Sequence, residues 1–190
     1  MELSCRRVVI AFLFAVFVSA ASAPLGAFWS AAGLTGIPDE SSAALVVFND
    51  SGSASVTSGA TKAAVKLRYP VTGGPTIDPR ADPTDVRTCM VLLLRDTGAD
   101  ARVTAKLVKI GLFTDQRTVL AAFDSDTAGL TPSTQYQTAG VCGLTDPDFP
   151  GQLFGFDYAN FSYYVEVELT KSTATGNPGV KHVGIFHEEG

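Results

Sequence analysis

The chain has 190 residues, of which 46% are hydrophobic and 17% are charged, and its formal net charge is −5. This length suits one domain. Because the chain is acidic and carries no cluster of Lys and Arg after its first residues, it repels phosphate backbones, and the composition excludes nucleic acid as a favoured partner.

The N-terminus has the three parts of a secretory signal peptide, which we place at residues 1–23. Arg6 and Arg7 form the charged part, residues 8–18 are an unbroken apolar run, and small residues follow at 19–23. The apolar run is shorter than the roughly 20 residues that a membrane-spanning helix needs. The sequence therefore predicts a protein exported to the extracellular space or periplasm, without a transmembrane span after cleavage. Ala20, Ala21 and Ala23 are alternative cleavage positions.

Residues 24–42 are rich in Ala, Gly, Ser and Pro, and Phe28-Trp29 is their only bulky pair. The composition predicts a linker or an N-terminal arm. Trp29 either pins this arm against the domain or contacts a partner. Pinning is favoured because a buried Trp gains more free energy than an exposed one.

Residues 43–190 consist of short apolar or alternating runs separated by turn residues, a pattern typical of a β-sandwich or barrel. No helical periodicity separates the runs, so the strands must pair antiparallel. We therefore predict one all-β domain over 43–190, an antiparallel β-sandwich of which a jelly roll is one form. The expected strands are 43–48, 53–57, 63–69, 86–95, 102–110, 118–123, 134–141, 153–156, 162–171 and 180–186.

Two of these strands indicate where the core lies. The strand at 162–171 alternates between apolar and polar residues, which predicts one buried and one solvated face. The run at 90–94 is apolar on both faces, which predicts a central strand covered on both sides. Long surface loops are expected at 71–84 and 144–152, where a binding function would be displayed.

Cys89 and Cys142 remain after signal cleavage. In an oxidising compartment two such cysteines predict a disulfide bond. The bond would close a loop of about fifty residues and stabilise the fold by about 4 kcal/mol. The alternative is a pair of buried free thiols.

Catalytic signatures are weak in this sequence. His182 and His187 lie an odd number of residues apart, so on one strand they face opposite ways and cannot share a metal ion. No nucleophile elbow, zinc-protease motif or paired C-x-x-C motif is present. We therefore favour a protein that is not an enzyme.

Glu166 and Glu168 share one strand face at about 6–7 Å, a spacing close to that of a catalytic carboxylate pair. Every pair of residues two apart on a strand has the same spacing. A solvated face with cross-strand pairing to Arg102 and Lys106 is the simpler interpretation.

Most aspartates lie in predicted loops, and calcium sites in extracellular β-sandwiches use such carboxylates. Calcium is the one cofactor that the sequence suggests, with Asp124, Asp126, Asp146 and Asp148 as candidate ligands. Aspartate is also a frequent turn former, and no EF-hand spacing occurs.

An aromatic cluster suggests a second kind of binding site. Aromatic rings stack on sugar rings in glycan-binding proteins, although most rings in such a cluster serve the core. We expect Tyr158 and Tyr164 to be the exposed ligand contacts. The cluster comprises Phe149, Phe154, Phe156, Tyr158, Phe161, Tyr163 and Tyr164.

The sequence thus favours a secreted, non-enzymatic protein that binds extracellular glycan, cell-surface or matrix components through its loops or one sheet face. Two alternatives stay open. One is a secreted polysaccharide hydrolase using Glu166 and a second carboxylate. The other is a structural subunit that assembles with its own copies through edge strands.

Overall fold

A computed structural model describes residues 27–73, 86–148 and 154–189. The predicted signal peptide at 1–23 and Phe149 lie outside these ranges. Within them there is no α-helix, only a single 3₁₀ turn at Gly33–Thr35. The strands are β1 (Ala27–Ala32), β2 (Ile37–Pro38), β3 (Val46–Phe48), β4 (Ala54–Val56), β5 (Ala63–Val71), β6 (Val86–Arg95), β7 (Ala101–Gly111), β8 (Arg117–Asp124), β9 (Gln137–Cys142), β10 (Phe161–Lys171) and β11 (Gly179–Glu189).

The strands form two antiparallel sheets. Sheet 1 has the order β3-β4-β11-β6-β9, with β1 also paired to β11, and sheet 2 has the order β2-β5-β10-β7-β8. Four strand pairs are nested along the chain, each pair lying between the two strands of the previous one: β4–β11, β5–β10, β6–β9 and β7–β8. This is the arrangement of a jelly roll. The prediction of an antiparallel β-sandwich is confirmed, and its jelly-roll form is the one present.

The core lies between the two sheets and is centred on β10. Residues 163, 165, 167, 169 and 171 of this strand face inward and are buried, so the predicted alternation is confirmed. Each fully buried aliphatic side chain stabilises the fold by about 1.5–3 kcal/mol. The neighbouring strands add Val65, Leu67, Val103, Ala105 and Leu107, and sheet 1 faces them with Met90, Leu92, Leu94, Val180, Val183 and Ile185.

Strand β6 is central in sheet 1, between β11 and β9, as its apolar run predicts. The expectation that both of its faces are covered holds only in part, because Val91 and Leu93 are half-buried on the outer face. Val91 lies in register with Gly140 on one side and Gly184 on the other. Neither glycine has a side chain that could cover it.

The segment at 24–42 is a pinned arm over its described part, not a free linker. Trp29 on β1 is buried in the core. The Tyr69 hydroxyl donates a hydrogen bond to the Gly33 carbonyl at 2.8 Å, and its ring fills the space in which a Cβ on Gly36 would sit. Because β1 pairs with sheet 1 and β2 with sheet 2, the arm contacts both layers of the sandwich.

Nine of the ten expected strands are present, the one at 86–95 with the predicted ends and the other eight with shifted ends, but the strand expected at 153–156 is wrong. Residues 154–156 form an irregular segment in which all three residues are buried. Phe154 and Phe156 pack edge to face, with ring centroids 5.1 Å apart. An apolar run that fills the end of a core has the same sequence pattern as a short buried strand.

Cys89 and Cys142 form a disulfide bond, as predicted. They are register partners on β6 and β9, with Cα atoms 4.0 Å apart. The bond therefore joins two neighbouring strands of sheet 1.

We predict that the double substitution C89A/C142A lowers the free energy of unfolding by about 2–4 kcal/mol, because the unfolded chain regains the entropy that the bond removes. Urea denaturation followed by circular dichroism measures the change. Reducing the wild-type protein should give the same shift. An unchanged midpoint in both experiments would contradict the prediction.

Candidate functional site

The candidate site lies at the end of the sandwich where β10 begins. Here the turn between β7 and β8 meets the segment before β10, and the Leu112 amide donates a hydrogen bond to the Asn160 carbonyl at 2.9 Å. Asp115 adopts a positive φ of 54°, which closes the turn. We call this surface the aromatic end and define it by Leu112, Phe113 and Tyr158.

Tyr158 is held in place by other rings. Its ring stacks on Phe156 at a centroid distance of 5.6 Å and meets the edge of Tyr163 at 5.4 Å. Phe156 and Tyr163 are themselves buried and in contact at 4.7 Å. Tyr158 nevertheless keeps 39% of its surface exposed. Burial of the remainder raises the pKa of its hydroxyl to about 12, so the group is a neutral donor and acceptor at physiological pH.

Phe113 is the most exposed large apolar side chain of the described residues, at 84%. Together with the half-exposed Leu112 it forms the apolar tip of this turn, which is joined to the segment after Tyr158 by the hydrogen bond from Leu112 to Asn160. The sequence analysis missed Phe113. The feature that could have identified Phe113 is an aromatic residue inside a predicted hairpin turn, where polar residues are usual.

Asp157 supplies a polar group next to Tyr158. Its carboxylate accepts hydrogen bonds from the Ala159 amide at 3.1 Å and from the Asn160 side-chain amide at 2.8 Å. The Asn160 hydrogen bond is the main reason why the pKa of this carboxyl lies below its usual value. A carboxylate has about four acceptor positions, so Asp157 can accept further hydrogen bonds from a ligand.

Lys109 lies beneath the aromatic end, facing inward from β7, with only 1% of its side chain exposed. Its Nζ is 2.6 Å and 2.8 Å from the two carboxylate oxygens of Asp146, also contacts Asp148, and lies 4.5 Å from the centre of the Phe161 ring. Burial has the largest single effect on the Lys109 pKa and lowers it, but the hydrogen bonds to Asp146 and Asp148 outweigh it. The pKa is raised overall.

The four aspartates suggested as calcium ligands do not lie together. Two of them surround Lys109, as described above. Asp124 and Asp126 contact the Arg102 guanidinium instead. The hydrogen bond from Arg102 to Asp124 is the main cause of the lowered pKa of Asp124. Over the residues that the structure describes, no group of three or more His, Cys, Asp or Glu side chains is arranged to hold a metal ion. Calcium binding therefore stays a prediction without a shared ligand set.

Glu166 lies on the outer face of sheet 2, between two arginines. Its oxygens are 3.4 Å from Arg68 Nε and 3.3 Å from Arg117 Nη2. The Arg102 guanidinium forms its ion pairs with the aspartates at the end of β8, and of the two glutamates it interacts with Glu168, through charge alone. Lys106 is the register partner of Glu166 on β7.

Tyr164 shares this outer face and is half-buried, with the Arg68 guanidinium 5.6 Å from its ring centre. Tyr158 packs against Tyr163, which points the opposite way from Tyr164 on β10. The two tyrosines predicted as ligand contacts therefore lie on different surfaces.

Over the described residues, no helix is long and apolar enough to cross a membrane.

No family model matches the sequence, and no curated protein is similar to it in sequence. Among solved structures, the Stig cyclase Fisc from Fischerella sp. TAU matches with a TM-score of 0.38 and 16% identity over 72% of this chain, which spans 64% of the cyclase.

Two carbohydrate-binding modules also match, each with a TM-score of 0.38. The CBM6 module of the Cellvibrio mixtus lichenase 5A is 9% identical over 84% of this chain and 97% of its own. The xylan-binding module CBM15 is 15% identical over 76% of this chain and 82% of its own. Similarity at this level assigns neither a family nor a function.

We predict that K109M lowers the free energy of unfolding by about 3–5 kcal/mol, because it leaves the buried Asp146 carboxylate without its cation. D148N is the matched control. Its carboxylate is 49% exposed, so its loss should cost less than about 1 kcal/mol. Urea denaturation measures both variants. The double variant K109M/D146L should regain most of the loss, and a K109M protein as stable as wild type would refute the assignment.

Proposed function

We propose that the chain is a non-enzymatic, secreted glycan-binding protein whose binding surface is the aromatic end. The observation that carries the proposal is the exposed Tyr158 ring, fixed by two buried aromatic rings. A ring that is already ordered loses little conformational entropy when a ligand stacks on it.

The surroundings of Tyr158 suit a sugar. The C–H face of a pyranose is apolar and its rim is hydroxylated, so recognition needs an aromatic face with polar groups at its edge. Phe113 and Leu112 extend the apolar surface. The Asp157 carboxylate and the Tyr158 hydroxyl are the polar groups available for sugar hydroxyls.

The outer face of sheet 2 supports the hydrolase alternative less well. That alternative needs a second carboxylate working with Glu166 across a sugar bond. The side chains that contact the two Glu166 oxygens are Arg68 and Arg117. A glycan approaching Glu166 would have to displace these guanidinium groups.

We expect the domain from residue 24 onward to bind a subset of a broad glycan array, with and without calcium. Y158A should weaken the affinity for the best glycan at least about tenfold, the usual effect of truncating a central aromatic contact. Y158F keeps the stacking ring and should retain most of the binding. F113A should weaken binding less, because Phe113 is 84% exposed and no ring of the described residues packs against it.

Y164A tests the other candidate tyrosine under the same conditions. If Y164A abolishes binding and Y158A does not, the binding surface is the outer face of sheet 2 and the assignment to the aromatic end is wrong. Absence of binding to any glycan under both calcium conditions overturns the proposed function.

A further inference from the structure

A second buried lysine lies at the opposite end of the sandwich. Lys171 is the last inward-facing residue of β10, ten residues along the strand from Phe161, and only 2% of it is exposed. At about 3.3 Å per residue, this places it roughly 30 Å from the aromatic end. The two buried lysines therefore serve separate parts of the molecule.

The partners of Lys171 differ in kind from those of Lys109. Its Nζ lies 3.4 Å from the Thr57 carbonyl and 3.3 Å from the Ala174 carbonyl. Over the described ranges it forms no ion pair with a carboxylate, whereas Lys109 contacts two. An ammonium group has three N–H donors, and two long hydrogen bonds to carbonyls neutralise none of its charge.

Lys171 borders a cavity of about 350 Å³ between the end of β4 and the loop from β10 to β11. Cavities of this size hold small molecules in proteins. The walls combine hydroxyl and amide groups with a few aliphatic side chains. The polar side chains of the lining are Ser55, Ser58, Arg95, Lys171, Thr175 and Asn177.

Arg95 adds a second positive charge to this cavity. Its guanidinium donates hydrogen bonds to the carbonyl and to the side-chain oxygen of Asn177, at 3.0 Å and 2.7 Å. It has no carboxylate partner within the described part of the chain, and it lies 5.1 Å from the centre of the Tyr136 ring. The carboxylate of Asp100, in the neighbouring turn, accepts from Ser172 and Thr175 hydroxyls instead.

The hydroxyl of Tyr136 is buried and has no hydrogen-bond partner among the residues that the structure describes. It lies on the Arg95 side of the cavity, because a Cβ added to Gly179 would be 3.1 Å from this hydroxyl and 3.3 Å from Arg95 Nη2. A buried polar group without a partner costs free energy and calls for an explanation. Here the cations near the Tyr136 ring are Arg95, at 5.1 Å from its centre, and Lys181, at 5.9 Å.

We propose that this cavity binds a small hydroxylated carboxylate of about monosaccharide size, with its carboxylate on Lys171. Burying an unpaired ammonium is costly, and a ligand carboxylate supplies the missing charge through a charge-assisted hydrogen bond. The Arg95 guanidinium draws the anion to the site, and the Ser and Thr hydroxyls of the lining bind its hydroxyl groups. This inference does not depend on glycan binding at the aromatic end.

The test is titration of the domain with glucuronate, followed by NMR chemical shifts, with glucose as the neutral counterpart. Glucuronate should bind saturably and glucose should not. K171M should weaken glucuronate binding at least about tenfold, in line with the strength of hydrogen bonds to charged groups. K106M removes one exposed cation from the outer face of sheet 2 and should leave binding unchanged.

Thermal unfolding of K171M separates a ligand site from a structural role. If Lys171 is kept for a ligand, replacing its buried charge with an apolar side chain of similar length should leave the unfolding temperature equal or higher. If the wild type fails to bind glucuronate, the proposal is overturned. The proposal is also overturned if K171M binds glucuronate as well as the wild type does, or if K106M weakens binding as much as K171M does.

Discussion

The register of β10 is the constraint on which the other features depend. This strand pairs along its whole length with β7 and from Tyr163 onward with β5, and its alternate residues form the middle of the core. A shift of one residue would turn Glu166 and Glu168 into the apolar interior. The register is therefore fixed, and it sets Tyr163 at one end of the core and Lys171 at the other.

Each end of the core contains a buried lysine, and the two lysines have different partners. At the aromatic end, Asp146 and Asp148 surround Lys109 and keep the loop that carries them against the sandwich. At the other end, Lys171 contacts only carbonyl groups within the described residues. Because both lysines face the same interior, the difference in partners cannot be a difference in burial. The two ends differ in the charge that faces the ammonium group. Carboxylates of the chain neutralise Lys109, whereas Lys171 leaves that position to a ligand.

Features that depend on local pattern could be predicted from the sequence. The alternation of β10, the apolar run of β6 and the pairing of Cys89 with Cys142 all follow from spacing and composition. Features that depend on distant partners could not. Four of the six residues of β1 are Ala or Ser, and β2 has only two residues, of which one is proline. Both segments become strands by pairing with β11 and β5.

The candidate site shows the same limit. Tyr158 could be singled out as an exposed aromatic residue, but its supporting rings and the neighbouring Phe113 are brought together only by the fold. The ion-pair partner of a charged side chain could not be predicted from the sequence either. Arg102 was expected to pair with glutamates across the strand. It hydrogen-bonds Asp124, because the end of β8 lies beside it, and interacts with Glu168 through charge alone.

The Cys89–Cys142 bond also changes the connectivity of the chain. It closes a covalent ring that contains all of β7 and β8, together with the exposed turn at 112–116 and the segment at 125–136. Exposed segments of this kind are the preferred sites of proteolytic cleavage. A single cut inside the ring would leave two polypeptides that stay attached through the bond, so the oxidised domain can be nicked at its apolar tip without separating into fragments.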